Sequence, residues 1–565
     1  MKRRVIIVGG VAGGASAAAR LRRLDEEMEI ILVEKGEYIS YANCGLPYYL
    51  GGVIPDREKL LVQTPEGMRT RYNIQVRTGE EVTKIDRKKR EVEIRPVNSG
   101  EPYRLRYDLL LLAPGAFPVK PVIPGAEGEN VFTLRSINDT DRIKAFMHRR
   151  LNAGKRQEER PVSALVVGAG FIGLEMVENL RQAGLSVSLV EMADRVLPKN
   201  LDFEMAAFLH KQLRAEGVSL YLSAALHRIE RDANGCWGVL ADGRRIPADL
   251  VILAVGVRPD TSLAVEAGLE LGETGGIKVN ECFQTSDPHI YAVGDAIEVT
   301  NSITGQAVLL SLAGPANRQG RLVADALAGR TVKYEGVIGV SVAKVFAMTA
   351  GSVGLTEEDL RRKKTPYFST IIHSSSNAAY YPDSSPLTIK LIFSPGGKIL
   401  GAQVVGYKGV DKRLDVLATA IKLGGEVSAL SSLELAYAPP YSSAKDPVNI
   451  AGYVAGNILA QDVEVCHWYE LPHRDRTNSI LLDVREEGER RAGLIEDSQH
   501  IPLSKLRRKI SELPKDKEII VYCHVGLRAY IAARILKQNG FIVKNLNGGY
   551  LTWRTATEEQ KIIGR

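Results

Sequence analysis

Two of the five cysteines have surroundings that could activate a thiol: Cys44 in the stretch SYANCGLPYY and Cys523 in the stretch CHVGLR. Pro47 follows Cys44 closely, and proline is favoured in the first turn of a helix. A thiol at the start of a helix faces free N–H groups and the positive end of the helix dipole, which lower its pKa and raise its reactivity. The sequence therefore predicts a reactive thiol at Cys44, with a buried structural cysteine as the alternative.

The second thiol opens a loop between an apolar strand pattern, EIIVY, and a helix pattern, with Arg528 at its sixth position. Such a loop can curl so that its N–H groups converge on the sulfur, while the helix dipole and the arginine add positive charge. This arrangement would stabilise a thiolate, a persulfide or a bound oxyanion. The other three cysteines have no paired spacing, so neither a disulfide framework nor a metal site is predicted: Cys236, Cys282 and Cys466.

The elements that must position Cys44 begin with RVIIVGGVAGGASAAARLRRL, an apolar strand, a glycine-rich turn and a small-residue helix. A second strand, IILVE, ends on an acid that could bind ribose hydroxyls, which completes a dinucleotide fingerprint. The middle glycine position is Val11, so close approach of the backbone to a phosphate depends on a neighbouring glycine. The predicted contacts are Gly9, Gly10, Gly13, Gly14, Glu34 and Lys35.

The same pattern recurs at 164–191, where ALVVGAGFIGLEMVENLRQAG leads into VSLVE. All three fingerprint glycines are present, and an acid at the ribose position favours NADH over NADPH, although the neighbouring Arg195 could compensate. The predicted contacts of this second site are Gly168, Gly170, Gly173, Glu191 and Gly256.

Two further segments, YDLLLLAPGA at 107–116 and IYAVGDA at 290–296, each place a buried strand before a glycine turn. They predict that the second dinucleotide fold is inserted into the first, the alternative being two unrelated folds. Over roughly 1–455 the chain resembles the flavin-dependent pyridine nucleotide-disulfide oxidoreductases, which implies FAD at the first site and NAD(P)H at the second. Further FAD contacts are then expected at Ala113, Gly115, Gly294 and Asp295.

Common disulfide reductases of that family carry two cysteines where this chain has one, and no other cysteine precedes Cys236. The options left to Cys44 are a sulfenic acid, a mixed disulfide with a small thiol, or a persulfide. NADH oxidases and peroxidases of the family use the first option, and coenzyme A-disulfide reductases use the second. The segment from Ser40 to Tyr48 resembles the coenzyme A-disulfide reductases, but it does not by itself separate the two branches.

Ser16, Arg20 and Arg23 share one stripe of the first helix, which is either a solvated face or a binding surface. The resemblance implies that this stripe lines a coenzyme A channel, where cations would suit the phosphates. The same resemblance adds further coenzyme A contacts at Ser40, Asn43, Arg71, Asn317 and Lys445.

Segment 436–457, AYAPPYSSAKDPVNIAGYVAGN, resembles the dimerisation domain of the coenzyme A-disulfide reductases. That resemblance implies a homodimer in which Tyr437 and Tyr380 reach the partner's cysteine and act as acids. Packing at the subunit interface is the alternative role for these tyrosines.

The C-terminal segment resembles the rhodanese sulfurtransferases, through the Cys523 loop, Asp483-Val484-Arg485 and NGGYLTW. Cys-dependent phosphatases share the loop shape, and Leu494 stands where most rhodaneses have a histidine, which leaves the choice of sulfur donor open. The expected fold class is α/β, with two nested Rossmann-like domains, an α+β dimerisation domain and an α/β rhodanese domain. Their expected bounds are 1–118 and 253–328 for FAD, 119–252 for NAD(P)H, 329–456 for dimerisation, 457–472 for a linker and 473–565 for rhodanese.

The net charge of +7 is spread among interleaved acids and bases, which does not favour nucleic-acid binding. The apolar runs, such as LLLLA, are far shorter than the ~18 residues of a membrane span, and the first strand starts too early for a signal peptide. Together with the unpaired cysteines, these features predict a cytoplasmic protein without a membrane partner.

The expected function is reduction of coenzyme A disulfide, coenzyme A persulfide or polysulfide by NADH or NADPH through FAD and Cys44. Transfer of sulfane sulfur by Cys523 would be coupled to it, with thiol and hydrogen sulfide as products. The alternatives are an NADH oxidase or peroxidase that uses a sulfenic acid, and a sulfur-carrier or redox-sensing flavoprotein.

Overall fold

The computed structural model describes residues 3–157, 161–232 and 235–564. The chain forms two compact units, the first from Met1–Leu189 and Leu226–Val337, the second from Val190–Ala225 and Ile338–Arg565. Among the described residues, no helix combines the length and the apolar character that a membrane span requires.

Short strands alternate with helices through most of the chain. The strands are β1 (Arg4–Val8), β2 (Glu29–Glu34), β3 (Gln75–Thr78), β4 (Glu80–Asp86), β5 (Glu91–Pro96), β6 (Tyr103–Arg106), β7 (Leu109–Leu112), β8 (Ala116–Pro118), β9 (Val131–Phe132), β10 (Ser163–Val167), β11 (Ser186–Val190), β12 (Ser219–Tyr221), β13 (Leu226–Asp232), β14 (Gly235–Leu240), β15 (Arg245–Pro247), β16 (Leu250–Leu253), β17 (Val257–Pro259), β18 (Ile290–Ala292), β19 (Val299–Thr300), β20 (Ala307–Val308), β21 (Ser341–Val345), β22 (Met348–Gly354), β23 (Phe368–Ser375), β24 (Pro386–Phe393), β25 (Ile399–Gly406), β26 (Glu464–Cys466), β27 (Ser479–Asp483), β28 (Ser498–His500), β29 (Glu518–Tyr522) and β30 (Val543–Leu546).

The helices fall between these strands. They are α1 (Ala12–Leu24), α2 (Leu46–Leu50), α3 (Pro65–Tyr72), α4 (Ile137–Gln157), α5 (Phe171–Gln182), α6 (Phe203–Ala215), α7 (Ser262–Glu266), α8 (Ala313–Leu327), α9 (Glu357–Arg362), α10 (Val410–Lys422), α11 (Val427–Ser432), α12 (Pro447–Leu459), α13 (Glu487–Arg491), α14 (Leu503–Lys509), α15 (Leu527–Gln538) and α16 (Gly549–Ile563).

The first unit is built around a parallel sheet of order β18-β7-β1-β2-β3. Its inner strands are apolar runs buried on both faces, as expected of parallel strands covered by helices. Strand β18 pairs with β7 although about 180 residues separate them in the sequence. This pairing confirms that the second dinucleotide fold is inserted into the first.

The inserted fold has its own parallel sheet, in which β11, β10, β16 and β9 are successive strands. The chain leaves the first fold through β8 and returns through β17, and these two strands pair antiparallel. The first glycine turn follows β1 and the second follows β10, so each lies at the carboxyl end of a parallel strand, where dinucleotides bind in such folds.

In the second unit, an antiparallel sheet of order β21-β22-β25-β24-β23 carries the fully buried Lys390. The Lys390 Nζ lies 2.8 Å from Asp202 Oδ2 and 3.0 Å from Glu357 Oε1, and it also bonds Glu204. Burial alone would lower the pKa of this lysine, but the three carboxylates raise it well above its usual value. The ammonium therefore stays charged and connects segment 202–204 to the dimerisation sheet.

A parallel sheet of order β26-β30-β29-β27-β28 forms the C-terminal domain. Its edge strand β26 lies within 457–472, the stretch expected to be a linker, and Cys466 and Leu471 are buried in the domain core. The stretch was expected to be a linker, but it packs against the C-terminal domain. Its few apolar side chains, spaced among many polar ones, are sufficient to anchor it in the domain core. The other domain bounds stay predictions.

Candidate active site

The first glycine turn is closed by backbone contacts that leave no room for side chains. Gly9 has φ +96°, and a Cβ on it would lie 2.1 Å from the carbonyl oxygen of Ala113. A Cβ on Gly14 would lie 1.9 Å from the carbonyl oxygen of Gly9. The Glu34 carboxylate accepts hydrogen bonds from the Gly10 N–H, at 2.8 Å, and from Gly36. The turn, the following helix and the acid thus fit a dinucleotide.

The residues predicted from the segments at 107–116 and 290–296 lie beside Arg135. Arg135 itself was not predicted from the sequence. A Cβ on Gly115 would lie 2.7 Å from Arg135 Nη2, and Arg135 Nη1 is 4.0 Å from Asp295 Oδ2. Burial raises the pKa of Asp295, and Arg135 opposes that shift. With the Asn43 amide in its better-bonded orientation, its oxygen also accepts from Arg135 at 3.3 Å. Gly294 completes this edge, and its N–H donates to a glutamine side chain at 2.8 Å.

A cavity of about 750 Å³ opens next to Arg135. Lys120, Arg258 and the acid Asp139 also line it, so three cations and one carboxylate face one space. Lys35 lies in the same unit, exposed and 3.7 Å from Asp260 Oδ2. The positive lining suits a phosphate-bearing ligand such as a dinucleotide.

The second glycine turn repeats the close backbone contacts of the first. A Cβ on Gly168 would lie 2.4 Å from the Ala254 carbonyl oxygen, and one on Gly173 would lie 1.9 Å from the Gly168 carbonyl oxygen. Gly170 precedes α5, and Gly256 has φ +113°; a Cβ on either would meet open space. These four glycines fit a second dinucleotide.

Glu191, the predicted ribose ligand, belongs to the second unit, where its carboxylate accepts from the Ala193 N–H at 2.8 Å. Its role in choosing NADH stays a prediction.

Cys44 is exposed and lies in a short 3₁₀ turn, Asn43–Gly45, just before α2. Ser40, at φ +44°, donates its N–H to the Gly10 carbonyl oxygen at 2.8 Å. The segment that carries the thiol is therefore attached directly to the first glycine turn. Cys44, Ser40 and Asn43 are brought together with the predicted dinucleotide site.

The pKa of the Cys44 thiol is raised rather than lowered. Protein atoms crowd the sulfur enough for desolvation to be the largest cause, and the negative charges of Glu175 and Asp295 add to it. The expected helix effect is weak because α2 begins at Leu46 and has only five residues. The local motif indicated the helix but not the acids that the fold brings to it.

Glu175, on α5 after the second glycine turn, is the acid that sequence reasoning missed. Burial raises its pKa to about 7, and Glu178 contributes to the shift. Glu175 also acts electrostatically on the Cys44 thiol and on Tyr48. A carboxyl with a pKa near neutrality beside a thiol can take up or release a proton during a reaction.

The side chains of the α1 stripe predicted to bind coenzyme A form hydrogen bonds and an ion pair with other parts of the protein. The Ser16 hydroxyl lies 2.6 Å from Asn317 Oδ1, so two predicted contacts are brought together. Arg20, however, forms an ion pair of 2.8 Å with Asp325. Arg23 is exposed, and its Nε donates to a backbone carbonyl one turn earlier.

The remaining predicted coenzyme A contacts lie apart from this stripe in the sequence. Arg71 is exposed on α3, and Lys445 is exposed in the second unit.

The two predicted tyrosines lie together, with the hydroxyls of Tyr380 and Tyr437 3.2 Å apart. Both side chains are exposed, and this hydrogen bond is the main cause that raises the pKa of Tyr380. Asn377 donates to the Pro439 carbonyl oxygen at 3.2 Å, which connects the two loops that carry the tyrosines. The buried Arg413 also holds these loops, through Asp446 and the Ser376 carbonyl.

The predicted cysteine loop of the C-terminal domain closes around a buried sulfur. Cys523 is fully buried, and the Gly526 N–H points to its Sγ at 3.1 Å. The carbonyl oxygens of Cys523 and His524 accept from the N–H groups of Tyr550 and Leu551, at 2.8 and 2.9 Å. Because the carbonyls are held outward, the loop N–H groups are free to face the sulfur or a bound anion.

Arg528 is not a free cation beside this loop. Its two terminal nitrogens bond the Glu489 carboxylate at 2.6 and 2.7 Å, a bidentate pair. This pairing is the main cause that lowers the pKa of Glu489 to about 2, so the acid is ionised and offsets the arginine charge. Sequence reasoning predicted the arginine but missed its partner, which lies 39 residues earlier.

Replacing Glu489 with glutamine is expected to expose the charge of Arg528 and to favour anionic sulfur donors. We expect kcat/KM with thiosulfate to rise by roughly fivefold, since one nearby negative charge is removed, while an uncharged organic trisulfide changes little. Steady-state sulfurtransferase assays with both donors measure this ratio. Glu496→Gln removes the same charge from an exposed site of the domain as a control. An equal change with both donors would contradict the charge argument.

Two nested dinucleotide-binding folds, with the Cys44 segment bonded to the first glycine turn, define a nucleotide-dependent thiol oxidoreductase. The C-terminal domain with the Cys523 loop is joined to it. The chain belongs to the pyridine nucleotide-disulphide oxidoreductases, whose family pattern matches residues 3–320. The dimerisation domain of the same family matches residues 340–447, and a rhodanese-like domain matches residues 468–556. The family implies FAD and NAD(P)H as cofactors. These matches confirm the predicted fold class and the resemblance on which it was based.

Two curated relatives each cover about four-fifths of the chain. An NADH oxidase of Methanocaldococcus jannaschii is 36% identical over 79% of this chain and 97% of its own length. A coenzyme A disulfide reductase of Staphylococcus haemolyticus is 34% identical over 81% of this chain and 100% of its own. Their names represent the two branches that Cys44 alone did not separate.

Two solved structures match nearly the whole chain, including the C-terminal domain. Reduced Bacillus anthracis CoADR-RHD is 50% identical, with a TM-score of 0.94 over 99% of both chains. The NAD-dependent persulfide reductase from A. fulgidus is 40% identical, with a TM-score of 0.90 over 97% of this chain and 100% of that one.

Proposed function

We propose that this protein reduces coenzyme A disulfide, coenzyme A persulfide or polysulfide with NAD(P)H, through Cys44, and that Cys523 carries sulfane sulfur. The observation that carries the proposal is the lone thiol Cys44 on a segment bonded to the first glycine turn. No second cysteine precedes Cys236, so the sulfur that pairs with Cys44 comes from the substrate. The names of the coenzyme A disulfide reductase and persulfide reductase relatives support this substrate class.

In the proposed reaction, the Cys44 thiolate attacks one sulfur of the substrate and the sulfur–sulfur bond breaks. The leaving thiolate takes a proton, for which the proposed source is the hydrogen-bonded pair of Tyr437 and Tyr380, reaching the cysteine of the other subunit in the proposed homodimer. Since the pKa of Cys44 is raised, its proton must be accepted as the thiolate forms, and Glu175 is suited to accept it. When bound, the flavin and nicotinamide supply the two electrons that return Cys44 to its thiol.

Coenzyme A is the proposed carrier of the substrate sulfur, and the Ser16 stripe is its proposed binding surface. Asn317 and Arg23 are exposed there, and the half-buried Ser16 is hydrogen-bonded to Asn317. Arg20 would contribute only if a ligand phosphate shares or replaces its bond to Asp325. Arg71 and Lys445 stay in the proposal on sequence resemblance alone.

At the second thiol, Cys523 attacks a donor's outer sulfur and becomes a persulfide, while the donor leaves with its electron pair. The Gly526 N–H and its loop neighbours stabilise the charge on sulfur before and after this transfer. A thiol such as coenzyme A then takes the outer sulfur, which gives a persulfide for reduction at Cys44.

The acid Glu191 supports NADH as the preferred nucleotide. The match to a dimerisation domain supports a homodimer, and the unpaired cysteines support a cytoplasmic setting. We propose no nucleic-acid and no membrane partner.

The second candidate function is an NADH oxidase or peroxidase, favoured by the name of the M. jannaschii relative. A single thiol can cycle through a sulfenic acid, which needs no coenzyme A. A sulfur-carrier or redox-sensing role without steady turnover is the third.

NADH consumption separates these functions when the sulfur acceptors and hydrogen peroxide are assayed anaerobically and oxygen is assayed separately. We expect turnover with coenzyme A disulfide, coenzyme A persulfide or polysulfide to exceed turnover with oxygen or hydrogen peroxide by at least about tenfold in kcat/KM. Each acceptor is compared on the same flavin-loaded protein, with hydrogen sulfide and free thiol counted against NADH. Turnover with oxygen or peroxide alone would overturn the proposal.

A further inference from the structure

The turn Asn547-Gly548-Gly549 lies between the Cys523 loop and the dimerisation sheet. Asn547 Oδ1 accepts from the Ile371 N–H at 2.8 Å, and its Nδ2 donates to the Ser369 carbonyl oxygen at 3.2 Å. Both partners belong to β23, the edge strand of the antiparallel sheet. The asparagine side chain therefore satisfies backbone groups of that edge as a neighbouring strand would.

The two glycines after Asn547 bring this contact directly to the cysteine loop. A Cβ on Gly548 would lie 2.1 Å from Thr552 Oγ1 and 3.2 Å from the Ile371 side chain. A Cβ on Gly549 would lie 2.8 Å from the Cys523 carbonyl oxygen. Both have positive φ, +68° and +61°, so glycine is required for the conformation as well as for the space.

A second contact holds the start of α16 in the same place. His373 Nε2 is hydrogen-bonded to Thr552 Oγ1 at 2.8 Å, and its Nδ1 to Thr388 Oγ1 at 2.9 Å. Burial lowers the pKa of His373 to about 4, so the ring is neutral and both bonds are between uncharged groups. The N–H groups that hold the loop carbonyls come from Tyr550 and Leu551, between these two anchors.

We infer that Asn547 is a positioning residue for Cys523, and that strand β23 of the dimerisation domain forms part of the sulfurtransferase site. The inference rests on the proposed sulfur-carrying role of Cys523. Loop N–H groups can face the sulfur only while the loop carbonyls are held outward by the start of α16. Asn547 fixes that start against β23, so the dimerisation domain sets the direction of the N–H groups at the thiol.

The test uses the full-length protein with Asn547→Ala. We expect the pH profile of Cys523 alkylation, followed by mass spectrometry, to move to higher pH, because fewer N–H groups then stabilise the thiolate. The kcat of sulfur transfer should fall by roughly tenfold with little change in KM, since donor contacts are untouched. Asn547→Asp keeps the oxygen that accepts from the Ile371 N–H, so it should restore part of the alkylation profile and part of kcat. If the alanine variant does not fold, the aspartate variant alone is compared with the wild type.

Glu559→Gln is the matched control at the far end of α16. Glu559 bonds Arg214 at 2.6 Å and contacts the buried His210, so its loss loosens the same helix without reaching the loop. An unchanged alkylation profile in both Asn547 variants, or an equal shift in Glu559→Gln, would overturn the inference. Wild-type protein that transfers no sulfur would instead count against the proposed function, and the alkylation profile would still test the role of Asn547.

Discussion

Replacing Cys44 with serine is expected to reduce NADH-dependent reduction of coenzyme A disulfide by roughly 10³-fold or more. A serine hydroxyl does not ionise near neutral pH and does not form a stable bond to the substrate sulfur. No other cysteine precedes Cys236, so no nearby thiol can replace it in sequence. Stopped-flow measurement with saturating NADH and substrate, on protein checked for flavin content, gives the rate.

Cys282→Ser is the matched control for this variant. Cys282 lies in the same unit and donates from Sγ to the Val332 carbonyl oxygen at 3.1 Å, a bond that a serine hydroxyl can retain. Its turnover should equal that of the wild type. Retained turnover in Cys44→Ser would contradict the proposed reaction and would favour a sulfur-carrier or redox-sensing protein.

The nested fold could be predicted because each part has a local signal. A buried strand, a glycine turn and a helix occur together at Gly9 and again at Gly168, and the steric conflicts at these positions explain why glycine is required there. The cysteine loop is equally local, since Cys523 and Gly526 lie within four residues of each other. Patterns of this kind depend only on neighbours in the chain.

The charges at both thiols could not be predicted in this way. Arg135, Glu175 and Glu489 each reach their site from a distant part of the sequence. Glu175 lies within the second dinucleotide motif, but that motif does not indicate that the side chain acts on Cys44. At Cys44 the helix dipole, which the motif indicated, is outweighed by burial and by two acids. Residues that contribute through electrostatics are therefore the ones that sequence patterns miss.

Contacts from distant parts of the sequence also decide which residues of the α1 stripe are available to a ligand. The spacing of Ser16 and Arg20 correctly places them on one side of α1, but it gives no information about α8, which packs against that helix. Helix α8 supplies both the Asn317 partner of Ser16 and the Asp325 partner of Arg20. This packing bonds Ser16 to another predicted contact residue and pairs the charge of Arg20 with an acid, and both coenzyme A contacts stay predictions.

Replacing Cys523 with serine is expected to separate the two proposed activities. Transfer of sulfur from thiosulfate or an organic trisulfide should fall by roughly 10³-fold, since the loop loses the atom that accepts the outer sulfur. Reduction of coenzyme A disulfide should be unchanged, because that substrate brings both of its sulfurs to Cys44. Parallel assays of sulfur transfer and of NADH consumption measure the two effects.

Cys466→Ala provides the control thiol of the same domain. Burial raises the pKa of Cys466 to about 12, so this cysteine is protonated at neutral pH and should be inert to sulfur donors. When thiosulfate, coenzyme A and NADH are supplied together, the proposed route takes the outer sulfur to Cys523, with sulfite as the leaving group, and then through coenzyme A persulfide to Cys44. Hydrogen sulfide formation should then fail in Cys523→Ser and continue in Cys466→Ala. Full hydrogen sulfide formation in Cys523→Ser would mean that Cys44 takes sulfur from the donor itself, and the C-terminal domain would need another role.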